Sequence, residues 1–343
     1  MFSIYERSRD PNYRRGGVKR EIFHQIISLE NLLIAWREFS RGKRSKPDVQ
    51  RFEWSLEDNL YNLHQSLIDG TYTTDPYQLF IVADPKPRRI HKASVRDRVL
   101  FQAVYRVLYQ IFDPVFIHDS YACRKKKGLH RAVRQLEKFL RRTSHNYRQP
   151  TYALKCDIRK FFDSVDHNIL LELIKKRISC PQTIELLEKI IWSFETSPGK
   201  GLPLGNVTSQ IFANIYLNQL DQFAKHSLKA HYYLRYCDDF VVISFSVEDL
   251  AGLIQKFRNF LDSHLQLELH DNKITIRKFR QGVDYLGYVT LPYYRVLRTK
   301  TKKRILRLVE KSLITESSLN SYLGILSHCR AFKTKLSLCY NGD

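Results

Sequence analysis

Three aspartates are the residues of this sequence that most clearly suggest chemistry. Asp238 and Asp239 are adjacent and lie between two runs of aromatic and branched residues, which predict strands over 231–236 and 240–245. A third acid, Asp157, ends another predicted strand. Neighbouring carboxylates repel one another unless a cation or a proton relieves them, and Mg²⁺ prefers such hard oxygen ligands. An Asp-Asp pair can also be an ordinary polar turn, but strands on both sides favour a hairpin with a metal site at its tip, where two metal ions would activate a 3′-hydroxyl and stabilise a leaving pyrophosphate.

The charge of the chain indicates a polyanionic partner. The 343 residues carry 57 Lys and Arg against 35 Asp and Glu, a formal net charge of +22 at pH 7. Such an excess repels itself unless a polyanion neutralises it. Nucleic acid is favoured, and an acidic membrane surface is less favoured because no strongly amphipathic basic helix stands apart from the predicted fold.

Composition excludes several classes of protein. With 43% hydrophobic residues the chain buries a substantial core, which excludes wholesale disorder. No run approaches the roughly 18 apolar residues of a membrane span. The first twenty residues are polar and rich in arginine, which predicts a basic arm over 1–20 and not a signal peptide, so we expect a cytoplasmic protein. The six cysteines lack metal-ligand spacing, and we expect reduced, mostly buried thiols and no structural zinc at Cys123, Cys156, Cys180, Cys237, Cys329 and Cys339.

Apolar periodicity predicts helices early in the chain and an antiparallel sheet in its middle, with helices on one face of the sheet, which is the α+β class. Asp166 and Ser246 are predicted N-caps. The predicted helices span about 21–40, 49–69, 95–112, 129–142, 167–178, 183–194, 208–228 and 246–264. The predicted strands span 77–83, 152–157, 231–236, 240–245, 265–270, 273–279 and 284–290. From Arg295 onward the chain is predicted to be basic and helical.

The acidic hairpin resembles a known family signature. The sequence YCDD at 236–239 is similar to the YxDD motif of reverse transcriptases, and DIRKFFDSVDH at 157–167 is similar to their first catalytic palm motif. RDRVLFQA at 96–103 and YACRKKKG at 121–128 resemble the fingers motifs of the group II intron-like branch. The resemblance implies an RNA-directed DNA polymerase.

Two further motifs extend the resemblance to about 85–290 in the family's order. GLPLGNVTSQ at 201–210 is similar to the loop and helix under the templating base, and DYLGY at 284–288 to the primer grip. Leu204-Gly205 followed by Ser209-Gln210 is similar to the reverse transcriptases of diversity-generating retroelements, whereas intron enzymes usually carry Gln-Gly and Ser-Pro. Several bacterial antiphage reverse transcriptases share much of the same scaffold.

The resemblance implies a right-hand polymerase fold and a division of the chain. We expect fingers over 21–150, a palm over 151–291 with the antiparallel sheet, and a short helical thumb over 292–343. Two Mg²⁺ ions, for which Mn²⁺ can substitute, would be held by Asp157, Asp238 and Asp239 with the carbonyl of Ile158.

The resemblance also implies contacts to dNTPs. Phe162 matches the aromatic gate that excludes a 2′-hydroxyl, and a plain core phenylalanine is the alternative. The remaining residues expected to bind the nucleotide are Lys86, Arg88, Arg89, Arg124, Leu204, Gly205, Gln210 and Lys273. For Lys86, Arg88 and Arg89 the alternative is a solvated charge run, and Lys273 is either a proton donor to pyrophosphate or an ordinary surface lysine.

A basic segment in the predicted thumb fits a grip on the backbone of an RNA–DNA duplex, and an ordinary charged helix face is the alternative. Its members are Arg295, Arg298, Lys300, Lys302, Lys303, Arg304 and Arg307.

Three functions follow from these observations. The first is a reverse transcriptase that makes error-prone cDNA from a template RNA in a diversity-generating retroelement, with a small basic accessory protein as a possible partner. The second is a reverse transcriptase of an antiphage system. The third is an inactive polymerase-like scaffold that only binds RNA, and the presence of all three acids argues against it.

Overall fold

The computed structural model describes residues 18–82, 87–311 and 315–340. Helices and antiparallel sheets alternate along these residues, which confirms the α+β class. Most of the predicted basic arm, residues 1–17, lies outside the described residues, as does Lys86. The helices, in chain order, are α1 Val18–Ile27, α2 Leu29–Ser40, α3 Pro47–Trp54, α4 Leu56–Ile68, α5 Val95–Phe112, α6 Leu129–Thr143, α7 Phe161–Ser164, α8 His167–Lys175, α9 Pro181–Trp192, α10 Val207–Gln222, α11 Val247–Leu265, α12 Thr299–Glu310, α13 Glu316–Leu326 and α14 Phe332–Tyr340. The strands are β1 Gln78–Val82, β2 Arg88–Lys92, β3 Tyr152–Asp157, β4 Tyr233–Tyr236, β5 Asp239–Ser244, β6 Thr275–Lys278, β7 Val283–Tyr285, β8 Tyr288–Leu291 and β9 Tyr294–Leu297.

Contacts between Cα positions divide the chain into two compact units, and neither is one continuous stretch. Unit 1 comprises Met1–Phe116, Lys160–Gln219 and Leu265–Leu267. Unit 2 comprises Ile117–Arg159, Leu220–His264 and Glu268–Asp343. The expected boundaries of fingers, palm and thumb stay predictions.

The long helix α5 forms the centre of unit 1. Ser94 caps it by accepting a hydrogen bond from the amide of Asp97 at 3.1 Å. Its apolar stripe, which includes Val99, Leu100 and Val104, is fully buried and packs against α1, α2 and α3. The helix predicted over 95–112 is therefore confirmed. Apolar residues at i, i+4 spacing form one face of a helix, and here that face packs against the neighbouring helices.

Two long predicted helices are each divided by a serine. Ser28 ends the first segment of 21–40 and caps α2, since its hydroxyl accepts from the amide of Asn31 at 3.2 Å. Ser55 separates α3 from α4 within 49–69. Serine favours such breaks because its hydroxyl competes with the backbone for hydrogen bonds, as it does at Ser28, whereas the side chain of Ser55 makes no cap hydrogen bond to α4.

Strands β1 and β2 form a separate two-stranded ribbon in unit 1. All five residues of β1 are exposed, including Leu79 and Ile81 at 57% and 64%. Strand β2 was not predicted, because its polar sequence RRIHK lacks the apolar alternation of a half-buried strand.

The central sheet of unit 2 is antiparallel, with the strand order β4-β5-β3-β6. Val241 and Ile243 of β5 pack with Leu136 of α6 on one face. The alternate residue Phe240 contacts Phe257 of α11, with ring centroids 4.9 Å apart. The expectation of helices on one face was wrong, since both faces of β5 are apolar and both are covered.

Two predicted strands are wrong. Residues 265–270 form only an isolated bridge between Ile158 and Leu269. Residues 284–290 form not one strand but the hairpin of β7 and β8, because Leu286 and Gly287 turn the chain with φ of +50° and +88°. Two consecutive positive φ angles are typical of the tight turns that join antiparallel strands.

The C-terminal part of unit 2 combines the sheet β7-β8-β9 with α12, α13 and α14. Ile305 and Val309 of α12 are buried with Tyr288 and Leu326 in one apolar cluster. The basic segment is not helical from Arg295 as predicted, since that residue lies in β9 and the helix begins at Thr299.

Candidate active site

The predicted acidic hairpin is present in unit 2. Tyr236 of β4 pairs with Asp239 of β5, so Cys237 and Asp238 form a two-residue turn. Cys237 has φ +56°, a left-handed conformation that costs free energy for a residue with a side chain. The turn therefore stays in place only because its surroundings hold it.

The sheet register brings the third acid to the hairpin. Asp157, the last residue of β3, is directly opposite Asp239 of β5. The amide of Ile158 donates to the carbonyl of Asp238 at 3.2 Å, and the amide of His270 donates to the carbonyl of Asp157 at 2.8 Å. Backbone hydrogen bonds thus hold the three aspartates of the sequence prediction at one end of the sheet.

The electrostatics of these acids are unfavourable. The pKa of Asp239 is raised to about 6, mainly by burial, and the charges of Asp157 and Asp238 contribute to this rise against the lowering effect of Lys155. Burial also raises the pKa of Asp238, with the charge of Asp157 as the next cause. Like charges opposite one another destabilise a sheet, so this end of the sheet favours a bound cation.

Two lysines supply part of the missing positive charge. The Nζ of Lys273 donates to Oδ1 of Asp157 at 2.6 Å, and the Nζ of Lys155 lies 3.6 Å from Oδ1 of Asp239. Sequence reasoning selected Lys273 but missed Lys155, which lies two residues before Asp157 and therefore on the same face of β3.

The donor set fits a hard divalent cation. Oδ1 of Asp239 is buried and lacks a hydrogen-bond partner, and all the candidate donors are oxygen atoms. Across residues 18–82, 87–311 and 315–340, no three His, Cys, Asp or Glu side chains are already grouped as a metal site. The ammonium group of Lys273 is hydrogen-bonded to the carboxylate of Asp157, so a metal ion bound by Asp157 would displace it.

A cavity of about 700 Å³ in unit 1 collects several of the predicted nucleotide-binding residues. Arg88 and Arg89 of β2 line it together with Leu204. Sequence reasoning missed Lys160 and His91, which also line it. Burial is the main cause that lowers the pKa of His91, so the positive charges of the cavity are those of the arginines and Lys160. The carboxylates of Asp163 and Glu195 also line it.

The loop between α9 and α10 also lines this cavity, through Thr196, Ser197, Leu202 and Leu204. Gly205 follows with φ +110°, and a Cβ there would lie 2.9 Å from Cγ2 of Ile90. The amide of His91 donates to the carbonyl of Leu204 at 3.1 Å. A glycine at 205 therefore allows the loop to approach strand β2 closely.

Phe162 and Gln210 are also in unit 1. Phe162 is half-buried, with its ring edge-to-face against the buried Phe161 at 5.3 Å, and its carbonyl accepts from the amide of Leu202 at 2.7 Å. Gln210 is exposed on the first turn of α10. Asp166 is confirmed as the N-cap of α8, since it accepts from the amide of Ile169 at 3.0 Å.

Arg124 of unit 2 is engaged within its own loop. Its Nη1 donates to the carbonyls of Ile117 and Ser120 at 2.6 and 3.1 Å. These hydrogen bonds give Arg124 a role in holding the loop, in addition to the predicted nucleotide contact.

The basic segment of unit 2 separates into two groups. Arg295 lies 3.8 Å from Glu137 and over the ring of Tyr288, and Arg298 pairs with Asp284. These two arginines already have protein partners. The members exposed on α12 are Lys300, Lys302, Lys303 and Arg307, while Arg304 is half-buried.

The thiols follow the sequence expectation only in part. Cys156 and Cys180 are buried, Cys237 and Cys329 are half-buried, and Cys123 is exposed. All five are free thiols, and the side chain of Cys339 lies outside the described residues.

The family is established by comparison with known proteins. Residues 83–290, more than half of the chain, match the family model described as reverse transcriptase (RNA-dependent DNA polymerase). The chain therefore belongs to the reverse transcriptase family, which confirms the predicted right-hand polymerase class. No helix in the described part of the chain is long and apolar enough to cross a membrane.

Relatives place the chain within the family. The group II intron-encoded protein LtrA of Lactococcus lactis subsp. cremoris is 23% identical, covering 75% of this chain and 53% of that protein. Protein YkfC of Escherichia coli (strain K12) is 24% identical, covering 72% and 73% respectively. These matches fit the predicted group II intron-like branch, and the chain spans about half the length of LtrA. A solved telomerase from Candida albicans, in complex with a fragment of telomeric RNA, has a TM-score of 0.49 and 10% identity, covering 81% of this chain and 60% of that chain.

Proposed function

We propose that this protein is an RNA-directed DNA polymerase that extends a primer with dNTPs along a template RNA. The observation that carries the proposal is the convergence of Asp157, Asp238 and Asp239 at one end of the central sheet, with unfavourable charge on Asp238 and Asp239. The family generally uses divalent metal ions, and nucleotidyl transfer needs oxygen ligands and positive charge but no covalent nucleophile. The retained acids make the inactive scaffold the weaker proposal.

The three aspartates and the carbonyl of Ile158 would hold two Mg²⁺ ions, for which Mn²⁺ can substitute. When bound, the metals would activate the primer 3′-hydroxyl and stabilise charge on the leaving pyrophosphate. Lys273, released from Asp157, would donate a proton to the pyrophosphate oxygen.

The cavity of unit 1 would bind part of the incoming dNTP. Arg88 and Arg89 present guanidinium groups, which bind phosphate oxygens in pairs of hydrogen bonds. Phe162 would stack near the deoxyribose and exclude a 2′-hydroxyl, and its half-exposed ring suits this role better than that of a core residue. Leu204, Gly205 and Gln210 would lie near the new base pair.

The exposed lysines of α12 would hold the backbone of the RNA–DNA duplex. A small basic accessory protein would share this task, and we propose a cytoplasmic location for the reaction. Each phosphate neutralised would release condensed counterions.

Replacement of Asp238 tests the catalytic assignment. Asp238→Ala should reduce primer extension on an RNA template by roughly a thousandfold, because the loss of a metal ligand removes about 4 kcal/mol of transition-state stabilisation. Binding of the template RNA should change little. The matched control is Asp262→Ala, which removes an exposed acid of α11. Robust extension by Asp238→Ala would refute the assignment of the active site.

For the biological role, we propose error-prone cDNA synthesis in a diversity-generating retroelement. The residue before Gly205 in most reverse transcriptases is Gln, whose amide can hydrogen-bond near the incoming nucleotide. Leu204 offers only methyl groups there, and its own carbonyl is occupied by the amide of His91. Loss of a polar contact that senses alignment lowers discrimination by about 1–3 kcal/mol, enough for roughly a tenfold rise in misincorporation.

Sequencing of cDNA from a defined RNA tests this role. The wild type should make errors, mainly at template adenines as the family resemblance suggests, and Leu204→Gln should lower their frequency. Equal, low error rates at all four template bases in the wild type would contradict the retroelement assignment and favour a reverse transcriptase of an antiphage system.

A further inference from the structure

Arg235 is a fully buried arginine of β4, and it immediately precedes the YCDD sequence. Its exposed fraction is 0%, as is that of its partner Asp221 on α10. The Nε and Nη2 of Arg235 donate to Oδ1 and Oδ2 of Asp221, both at 2.7 Å. A buried charge is costly unless it is paired and hydrogen-bonded, and this bidentate pair meets that requirement.

The rest of the guanidinium group reaches two other segments. Nη2 also donates to Oγ of Ser120 at 3.1 Å, and Nη1 donates to the carbonyl of Cys237 at 3.0 Å. The backbone of Arg235 is fixed as well, because its amide donates to the carbonyl of Asp119 and its carbonyl accepts from the amide of Tyr121. Arg235 is thereby held in place by both its backbone and its side chain.

The bond to Cys237 bears directly on the catalytic acids. The carbonyl of Cys237 and the amide of Asp238 belong to one peptide plane, which is rigid. A donor that fixes the carbonyl therefore fixes the orientation of the plane that leads into Asp238. Cys237 has a left-handed φ, so this plane needs an external contact to stay in its orientation.

We infer that Arg235, locked by Asp221, is a positioning residue for catalysis, which orients the Cys237–Asp238 peptide and thereby the Asp238 and Asp239 carboxylates. This inference rests on the proposed polymerase function. Tyr233 supports the same lock, since its hydroxyl donates to Oδ1 of Asp221 at 2.7 Å.

Arg235→Lys separates positioning from charge pairing. A lysine keeps the positive charge beside Asp221, but one ammonium group does not reproduce the planar fork that reaches Asp221, Ser120 and the Cys237 carbonyl together. The maximal single-turnover rate of extension should fall by about tenfold to a hundredfold, the size expected for carboxylates displaced by about 1 Å. The Mg²⁺ concentration for half-maximal rate should rise, and added Mg²⁺ should restore part of the rate. The dNTP concentration for half-maximal rate should stay near that of the wild type.

A control variant distinguishes positioning from general stability. Tyr72→Phe removes a buried hydrogen bond to Asp97 in unit 1, at 2.9 Å. It should lower the thermal midpoint and leave the Mg²⁺ dependence of extension unchanged. An Arg235→Lys variant that folds and keeps the wild-type rate and Mg²⁺ dependence would overturn the inference.

Two further measurements make the outcome decisive. If Arg235→Lys does not fold, the Ser120→Ala variant is measured in its place. Its extension rate should fall by about threefold, with the same shift in Mg²⁺ dependence. Unchanged kinetics of Ser120→Ala would overturn the inference. Calorimetric titration with Mn²⁺ requires no polymerisation. A wild type that binds Mn²⁺ but does not extend primers would contradict only the proposed function. In that case, weaker Mn²⁺ binding by the Arg235→Lys or Ser120→Ala variant than by the wild type would still support the inference. Equal Mn²⁺ binding by the variant and the wild type would overturn it.

Discussion

Replacement of a single glycine in the 197–201 loop should destabilise unit 1 far more than replacement of its near neighbour. Gly201 has φ +120°, and a Cβ there would lie 2.7 Å from Oγ1 and 2.9 Å from the backbone nitrogen of Thr196. Its amide donates to the carbonyl of Val165 at 2.9 Å, and Nε2 of His167 donates to its carbonyl at 2.7 Å. The backbone at this position is therefore held on both sides and has no room to shift.

Gly199 provides the matched comparison within the same loop. Its φ is +70°, and the nearest atom to a Cβ would be Cη2 of Trp192 at 3.8 Å, an ordinary contact. Gly199→Ala should cost about 1 kcal/mol, the left-handed penalty less the gain from a stiffer unfolded chain. Gly201→Ala should cost about 3 kcal/mol, because a sparsely populated backbone conformation and overpacking against backbone each contribute about 1–3 kcal/mol.

Equilibrium urea denaturation of the two variants measures this difference. The free energy of unfolding should be about 2 kcal/mol lower for Gly201→Ala than for Gly199→Ala, with little change in the slope against urea. Thr196 lines the cavity of unit 1, so Gly201→Ala should also raise the KM for dNTPs. Equal free energies of unfolding would refute the reasoning from the close contact with Thr196.

Two further predictions concern the ligands. Phe162→Val should raise ribonucleotide incorporation relative to deoxyribonucleotide incorporation in matched single-turnover assays, because it opens space for a 2′-hydroxyl; an unchanged ratio would show that the ring is not a gate. Joint replacement of Lys300, Lys302 and Lys303 by Gln should reduce the slope of log K against log salt for duplex binding by roughly 2 to 3, since each lost phosphate contact contributes about 0.9. An unchanged slope would mean that these exposed lysines do not contact the backbone.

The parts of the fold that were predictable from the sequence are those specified by local patterns. The apolar stripe of α5 and the alternating strands around YCDD each identify an element without knowledge of its neighbours. The motif order then placed Asp157 with Asp238 and Asp239, and the sheet register agrees with that grouping. Strand β2 has no such pattern, so only its pairing with β1 reveals it.

The supporting residues of the site depend on tertiary contacts, which the sequence does not display. An arginine is rarely buried, and the burial of Arg235 depends on Asp221, fourteen residues earlier in the chain. Lys155 is predictable in retrospect, because it shares a strand face with Asp157. The ion pairs of Arg295 and Arg298 likewise arise from residues distant in sequence, Glu137 among them.

The exposed ribbon of β1 and β2 has a consequence for the handling of the protein. Its apolar strand, with Leu79 and Ile81 in solvent, is the type of edge that pairs with another chain and aggregates. Arg88 and Arg89 on the neighbouring strand are exposed and should repel a second copy; this repulsion would act over about 8 Å at physiological ionic strength and about 3 Å in 1 M salt. The high salt used to strip nucleic acid from a basic protein therefore also removes this protection, and we expect the purified protein to precipitate unless the salt is lowered or RNA is returned.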